Sequence, residues 1–115
     1  MLEYDEQKLV VQYLELIKAK FTAIPNSTYT KSWGQKNKNK SSGVRAGLPD
    51  LFIIINKKPF FIEMKRPKEK GIAKGVLSQE QKSWIEKITE AGIDCYVCYG
   101  FEEAKKVIDN IKKDY

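Results

Sequence analysis

The 115-residue sequence predicts a mixed α/β (α+β) fold in which helices flank a mixed central sheet. Apolar residues recur at helical spacing near the start of the chain, and two short apolar runs joined by a turn follow in the middle. A helix-like segment then precedes a last apolar run, and a strand reached through a crossover helix usually joins its sheet in parallel. The expected order is therefore α-β-β-β-α-β with a C-terminal helix, in one domain over residues 1–115.

The first elements are predicted from the N-terminal third of the chain. Helical spacing of Leu and Val residues predicts a helix over residues 2–21, and Pro25 and Asn26 interrupt that pattern. Residues 28–33 contain Thr and aromatic residues in rough alternation, which favours a first strand. Residues 34–47 are rich in Lys, Asn, Ser and Gly, so we expect a loop there.

The later elements follow from turn and capping residues. Strands are predicted over residues 50–55 and 60–65, with a loop after the second one. Ser78 begins a predicted helix that runs to about residue 91, and Gly92 is its C-terminal stop. A strand at residues 94–99 and a helix at residues 102–113 complete the chain.

The central hairpin is expected to bring two carboxylates and a lysine together. Side chains alternate along a strand, so Glu63 and Lys65 point to the same face. The turn between the two apolar runs is short enough for an antiparallel hairpin, and Asp50 then lies across from this pair. Ionised groups beside aliphatic strands are costly unless they pair or bind a cation. These residue types therefore point to a metal site.

The chemistry of such a site suits Mg²⁺ or Mn²⁺. Asp50, Glu63 and a backbone carbonyl, that of Met64, offer the hard oxygen ligands that Mg²⁺ prefers. A bound ion would polarise a phosphodiester and lower the pKa of a water ligand. Lys65 could orient or help to deprotonate that water, or stabilise charge on the pentavalent phosphorus.

These residues also carry a family resemblance. Pro49-Asp50 followed by Glu63-x-Lys65 resembles the PD-(D/E)xK nuclease signature. The wider pattern is similar to the VRR-NUC branch of that superfamily: Gly47-x-Pro49-Asp50, then Phe61-Ile62-Glu63-Met64-Lys65, then Leu77-Ser78-x-x-Gln81, then Ala91-Gly92 before a strand. The resemblance covers nearly the whole chain, and the branch includes small stand-alone phage and bacterial proteins. It implies a PD-(D/E)xK restriction-endonuclease-like core and a metal-dependent DNA endonuclease.

The N-terminal helix is implied to supply a further metal ligand. The VRR-NUC pattern has a Glu, a Gln four residues later and an apolar run that ends near Tyr-Leu, which Glu3, Gln7 and Tyr13-Leu14 match. Glu3 is thus expected as a ligand and Gln7 as a supporting residue. Glu6 is the alternative ligand, and the alternative explanation for both glutamates is that they are first-turn acids favoured by the helix dipole.

Gln81 has two expected roles. Ser78-Gln79-Glu80-Gln81 predicts a capping box, in which the Ser78 and Gln81 side chains bond each other's backbone. The resemblance also implies that Gln81 faces the active site and supports it.

Charge indicates a polyanionic partner. The chain has 21 Lys and Arg residues against 15 Asp and Glu, a net charge of +6, and no acidic residue lies between Glu15 and Asp50. Basic residues on either side of the proposed site are expected to contact DNA phosphates: Lys36, Lys38, Lys40, Arg45, Arg66 and Lys68. The alternative for residues 36–40 is a solvated loop.

Other classes of protein are excluded or disfavoured by composition. Histidine is absent, which excludes Ser-His-Asp hydrolases, His-based nucleases and His-ligated zinc sites. Cys95 and Cys98 fall in a predicted strand, so we expect inert thiols rather than a redox pair. No leader or transmembrane run is recognisable, and the expected location is cytoplasmic, which for the phage members of the branch means a bacterial host.

The resemblance further implies a substrate and an assembly. Stand-alone VRR-NUC proteins resemble Holliday-junction resolvases, so branched DNA such as a four-way junction is the expected substrate and a homodimer the expected state. A nonspecific, flap-directed or restriction-like nuclease is the first alternative. A non-catalytic DNA-binding module is the second, and an interaction domain with incidental charges is the third.

Overall fold

A four-stranded mixed sheet with three helices makes up the part of the chain that the structure describes. The structure is a computed structural model, and it describes residues 2–25 and 41–113. The elements in chain order are α1 (Glu3–Leu16), β1 (Lys20–Ala23), β2 (Leu51–Ile55), β3 (Lys58–Lys65), α2 (Gln79–Glu90), β4 (Asp94–Tyr99) and α3 (Phe101–Lys113). The strands lie in the order β1-β2-β3-β4, antiparallel except for the parallel pair β3 and β4. The predicted mixed sheet flanked by helices is confirmed, and the order of the described elements is compatible with a PD-(D/E)xK-like nuclease core.

The N-terminal helix is shorter than the sequence predicts. Helix α1 ends at Leu16, and the chain turns through Lys18, whose φ is 59°. Lys20–Ala23 then pairs antiparallel with β2, so the prediction of helix up to residue 21 is wrong. The apolar periodicity continues past the turn, so only the tertiary pairing with β2 identifies the segment after it as a strand. The strand predicted at residues 28–33 lies outside the described residues.

A tight turn fixes the register of the central hairpin. Asn56 and Lys57 both have positive φ, 53° and 65°, as a two-residue type I′ turn requires. Lys58 therefore pairs directly with Ile55, and β3 begins two residues earlier than predicted. The Asn56 side-chain amide donates to the carbonyls of Ile111 and Lys112, both at 3.1 Å, which ties the hairpin tip to the end of α3.

The core lies between one face of the sheet and helices α1 and α3. It contains side chains from both helices and from three strands, among them Val10, Leu14, Ile53, Phe60, Ile62, Met64, Ala104 and Ile108, all without exposed surface. Burial of each large aliphatic side chain stabilises the fold by roughly 1.5–3 kcal/mol. Because Ile62 and Met64 face this core, the alternating Glu63 and Lys65 face away from it, as predicted.

Helix α2 is capped as the sequence predicts. The Ser78 hydroxyl accepts from the Gln81 N–H at 3.2 Å, and the Gln81 side-chain oxygen accepts from the Ser78 N–H at 2.8 Å. Gly92, with φ 87°, follows the C-cap residue Ala91 and turns the chain into β4. The crossover through α2 makes β4 parallel to β3.

The two cysteines are free thiols. Burial raises the pKa of Cys95 to about 11 and that of Cys98 to about 12, so both remain protonated at neutral pH.

None of the helices in the described segments combines the length and the apolar content that a membrane crossing needs.

Candidate active site

The edge where β2 begins holds the first carboxylate. The Asp50 side chain accepts a hydrogen bond from the Met64 N–H at 2.7 Å, across the gap between the two hairpin strands. The last ladder pair is Leu51 with Ile62, so Asp50 lies in register with Glu63. The hairpin therefore brings the two predicted carboxylates together, as its spacing predicts.

Pro49 gives a reason for the end of the ladder at this point. Continuing the register by two residues sets Pro49 opposite Met64. Proline has no N–H to donate to the Met64 carbonyl, so a regular pair cannot form. The Met64 N–H donates to the Asp50 side chain instead. In a strand, the N–H and the carbonyl of the same residue point to the same side. The Met64 carbonyl, which the sequence predicts as a ligand, is therefore directed toward the Asp50 side of the strand.

Glu3 completes a group of three carboxylates. One carboxylate oxygen from each of Glu3, Asp50 and Glu63 lies within 4.8 Å of the other two. Glu63 is 1% exposed, and its Oε2 is buried without a hydrogen-bond partner among the described residues. Three convergent carboxylates with one unpaired buried oxygen are a donor set that fits Mg²⁺ or Mn²⁺. We call these three residues the acidic cluster.

Glu6, the alternative to Glu3, serves a different element. Its Oε2 accepts from the backbone N–H of Phe101 at 2.6 Å, at the first residue of α3. Glu6 thereby satisfies an otherwise open donor at that helix end and joins α1 to α3.

Burial raises the pKa of every carboxyl in the acidic cluster. The pKa of Glu63 rises to about 9 because the group is buried and because the Asp50 charge lies beside it. The pKa of Asp50 is raised by burial, although the Met64 N–H and Lys65 act in the opposite direction. Burial also raises the pKa of Glu3, with Lys65 opposing. Burial, and at Glu63 the neighbouring Asp50 charge, therefore disfavour full ionisation of the cluster, and a bound cation would favour it.

Lys65 lies beside the acidic cluster and is confined there. Its Nζ is 4.0 Å from Glu63 Oε1, and the residue is 8% exposed. Gly75 packs against the lysine: a Cβ at this glycine would stand 3.3 Å from Lys65 Cδ and 3.2 Å from the backbone nitrogen of Arg66. The loop after β3 thus covers the aliphatic part of Lys65 while its ammonium remains at the carboxylates.

Gln81 connects the cap of α2 to the acidic cluster. Its Nε2 donates to Glu63 Oε1 at 2.9 Å, while its Oε1 accepts from Ser78 as described above. The two bonds together fix the orientation of the amide. The Gln81 side chain therefore makes both expected contacts, one in the capping box and one at the site.

Gly47 allows α2 to approach this closely. Its φ is 98°, and a Cβ there would stand only 2.6 Å from the Glu80 backbone. Any other residue would push away the first helical turn, which carries Gln81. The Gly47-x-Pro49-Asp50 motif therefore combines a close backbone approach, an interrupted ladder and a carboxylate.

The predicted DNA-contact residues fall into separate places. Lys36, Lys38 and Lys40 lie outside the described residues. Arg45 is exposed and donates to the Val44 carbonyl, beside a pocket on α2 rather than at the acidic cluster. Arg66 lines the active-site pocket, but its guanidinium donates to the Ala73 carbonyl at 2.9 and 3.2 Å. Lys68 is exposed on the same loop.

The pocket at the acidic cluster has a volume of about 750 Å³. Gln7 is part of its lining, together with Glu3, Asp50, Lys65 and Arg66. Its lining also includes apolar residues that the sequence motifs did not indicate: Leu2, Tyr4, Ile24, Pro25 and Val76. No periodicity marks these residues, because they come from three separate segments.

The comparison with protein families matches the VRR-NUC domain over residues 3–102. No curated protein and no solved structure gave a match. The matched span begins at Glu3 and includes Asp50, Glu63, Lys65 and Gln81, the residues that the fold brings together. The chain belongs to the VRR-NUC family, and it is accordingly a nuclease domain that acts on DNA.

Proposed function

We propose that the protein is a divalent-metal-dependent endonuclease that hydrolyses phosphodiester bonds in branched DNA. The observation that carries this proposal is the acidic cluster, whose oxygens converge within 4.8 Å beside the ammonium of Lys65. A chain that needed only to fold would gain nothing from three neighbouring carboxylates with raised pKa values.

Glu3, Asp50 and Glu63 would hold Mg²⁺ or Mn²⁺, with the Met64 carbonyl as a fourth protein ligand. When bound, the ion would polarise the phosphodiester and lower the pKa of a coordinated water. The Gln81 amide holds Glu63 Oε1, which leaves the unpaired Oε2 as the ligand atom. The bond from the Met64 N–H fixes Asp50 in the same way. Both carboxylates are therefore positioned before any ligand arrives.

Lys65 acts on the reacting groups themselves. Its Nζ is close enough to Glu63 to face the same small volume, and the Gly75 contact restricts its chain. In that position the ammonium orients the attacking water or donates to a phosphate oxygen on which charge develops. Gln7 and Arg66 line the pocket around these groups and would contact the substrate backbone.

Branched DNA and a homodimer are the finer part of the proposal. Exposed lysines on the loop after β3, Lys68, Lys70 and Lys74, suit contacts with phosphates, which carry shape rather than sequence information. Two active sites related by two-fold symmetry suit the two opposed strands of a four-way junction.

The deciding experiment compares cleavage of a labelled four-way junction with cleavage of linear duplexes that have the same arms. Each reaction is run with Mg²⁺, Mn²⁺ or EDTA, and the Glu63→Ala variant is the control. Paired, metal-dependent nicks confined to the junction are expected. Equal cutting of the linear duplex would leave a nonspecific nuclease. Binding without cleavage in either metal would contradict catalysis and favour a binding module.

The basic run at residues 36–40 is proposed to hold DNA near the site. Replacing Lys36, Lys38 and Lys40 by Ala should weaken binding and reduce the slope of log K against log salt by roughly 0.9 for each phosphate that is no longer neutralised. A matched triple replacement of Lys106, Lys112 and Lys113, on α3, is the control. Binding isotherms at several salt concentrations measure both slopes. An unchanged slope in the first variant would make residues 36–40 a solvated segment without contact to DNA.

A further inference from the structure

The active-site pocket is lined by both charged and apolar side chains. The charged lining residues include Glu3, Asp50, Lys65 and Arg66. Among the apolar lining residues, Leu2 is 66% exposed, Tyr4 73% and Val76 79%. These are three of the most exposed large apolar residues in the described segments, and all three line this one pocket.

A pocket lined by both kinds of side chain suits a ligand with two chemically different ends. An exposed apolar patch rimmed by polar residues marks a binding surface more often than chance. The volume of about 750 Å³ lies within the range of ligand pockets, roughly 300–1,000 Å³. A nucleotide has the corresponding two ends, since an anionic phosphate and a flat apolar base are separated by one sugar.

We propose that the apolar residues of this pocket receive an unstacked nucleobase of the DNA strand next to the scissile phosphate, with Tyr4 as its stacking partner. The inference rests on the proposed function and adds the state of the DNA at the cut. Leu2 and Val76 line the same pocket as Tyr4 and would contact the apolar faces of the base. The phosphate on the same nucleotide would be held by Lys65 and Arg66, which also line the pocket.

Only an unpaired or melted nucleotide can use this surface. Inside a duplex both faces of a base are covered by its neighbours, so a base must leave the stack before it meets Tyr4. Leaving the stack is least unfavourable where a base is already unpaired, as at branch points, flaps and single-stranded segments. Aromatic stacking accepts any of the four bases, because each has a π-face. The pocket would thus select a DNA structure without selecting a sequence.

Charge argues for DNA rather than a second copy of the chain as the occupant. Lys65 and Arg66 lie in the pocket itself, and Lys68, Lys70 and Lys74 lie on the loop that carries Val76. Two copies that met through this surface would bring these basic groups toward each other. A DNA strand brings phosphates to the same groups.

The test uses two DNA duplexes that differ by one unpaired nucleotide and four forms of the protein. Affinity is measured in EDTA by fluorescence anisotropy for the wild type, Tyr4→Ala, Tyr4→Phe and Leu16→Ala. Leu16 is the matched control, because it is also an apolar residue of α1, 77% exposed, and is absent from the pocket lining. The same DNA with 5-iododeoxyuridine at the unpaired position is irradiated, and the crosslinked residue is located by mass spectrometry.

We expect the wild type, Tyr4→Phe and Leu16→Ala to prefer the DNA with the unpaired nucleotide by about tenfold, in line with one stacked base. Tyr4→Ala should lose that preference, and the crosslink should fall on Tyr4. The same preference in Tyr4→Ala, or a crosslink elsewhere, would overturn the base site. So would a wild-type dimer that Tyr4→Ala converts to monomer in light scattering with the preference unchanged. These readouts need no cleavage, so a protein that passes them and cuts no DNA would contradict the nuclease proposal and keep the base site.

Discussion

Two clusters of charged side chains involve helix α1, and they satisfy their charges in opposite ways. One is the acidic cluster at the start of the helix. The other, which we call the surface cluster, lies where α1 meets α3 and consists of Tyr13, Lys105 and Asp109. In the surface cluster one carboxylate accepts from a tyrosine hydroxyl and pairs with an ammonium at 2.9 Å. In the acidic cluster three carboxylates share the neighbourhood of Lys65.

The pKa shifts separate the two clusters. Hydrogen bonds from Tyr13 and Lys105 hold the pKa of Asp109 below its ordinary value. Burial and the Asp50 charge raise the pKa of Glu63 to about 9. The lowered pKa of Asp109 reflects donors that stabilise its ionised form, whereas the raised pKa of Glu63 reflects burial and a neighbouring like charge, which both disfavour ionisation. The first arrangement joins two helices, and the second is suited to take up a cation.

The largest expected effect of this difference is on catalysis. Glu63→Ala should reduce DNA cleavage by at least ~10³-fold, about 4 kcal/mol, because a metal ligand is removed. DNA binding should change little, since the basic residues remain. Single-turnover cleavage and binding titrations measure the two effects, and Asp109→Ala is the control from the surface cluster. Wild-type turnover by Glu63→Ala would mean that the acidic cluster is not the metal site.

A smaller effect is expected for Gln81, which holds a ligand without being one. Gln81→Ala should lower both cleavage and Mn²⁺ affinity by roughly 10–100-fold, as for other partners of metal ligands. Ser78→Ala disrupts the same capping box but leaves Glu63 untouched, so it should lower only the free energy of unfolding, by about 1 kcal/mol. Mn²⁺ binding followed by paramagnetic resonance separates the two variants. Equal losses of Mn²⁺ affinity in the two variants would show that Gln81 acts only as part of the helix cap.

The acidic cluster should also make stability depend on pH when no metal is present. The pKa of Glu63 is raised from 4.5 in the unfolded chain to about 9 in the folded protein. The stabilisation that arises from this difference in proton binding is therefore complete below pH 4.5 and is lost as the pH rises toward 9. In EDTA the free energy of unfolding should therefore fall between pH 5 and 8.5, with a slope of up to about 1.4 kcal/mol per pH unit. Added Mn²⁺ should oppose the fall.

Urea unfolding at several pH values measures this slope, and Glu63→Gln provides the comparison. Glutamine keeps the shape of the protonated carboxyl but cannot ionise, so the slope should become nearly flat. A slope that is the same in wild type and Glu63→Gln would show that other groups cause the pH dependence.

The smallest effect is expected in the surface cluster. Asp109→Ala removes a half-buried ion pair and the hydrogen bond from Tyr13, and it should lower the free energy of unfolding by only about 1 kcal/mol, because such partly solvated pairs contribute little. Cleavage and Mn²⁺ affinity should match the wild type. Thermal unfolding together with a cleavage assay checks this, and a large loss of activity would contradict the distinction between the two clusters.

Local rules of sequence account for most of the elements and for the hairpin part of the site. Strand alternation places Glu63 and Lys65 on one face, and the short turn sets Asp50 across from them. The cap of α2 follows from Ser78 and Gln81. The N-terminal segment was predicted less well, because helical periodicity at residues 17–21 cannot reveal that Lys20–Ala23 pairs with β2.

Spacing and alternation along the chain were enough to predict the mixed fold, the hairpin and the grouping of Asp50, Glu63 and Lys65, since both act within a few residues. The choice between Glu3 and Glu6 needed the packed molecule, because it depends on which helix end each one meets. The same is true of the contact from Gln81 to Glu63 and of the pocket that Tyr4 and Val76 share. These contacts join residues far apart in the chain, and they exist only once α1 and α2 have packed against the sheet.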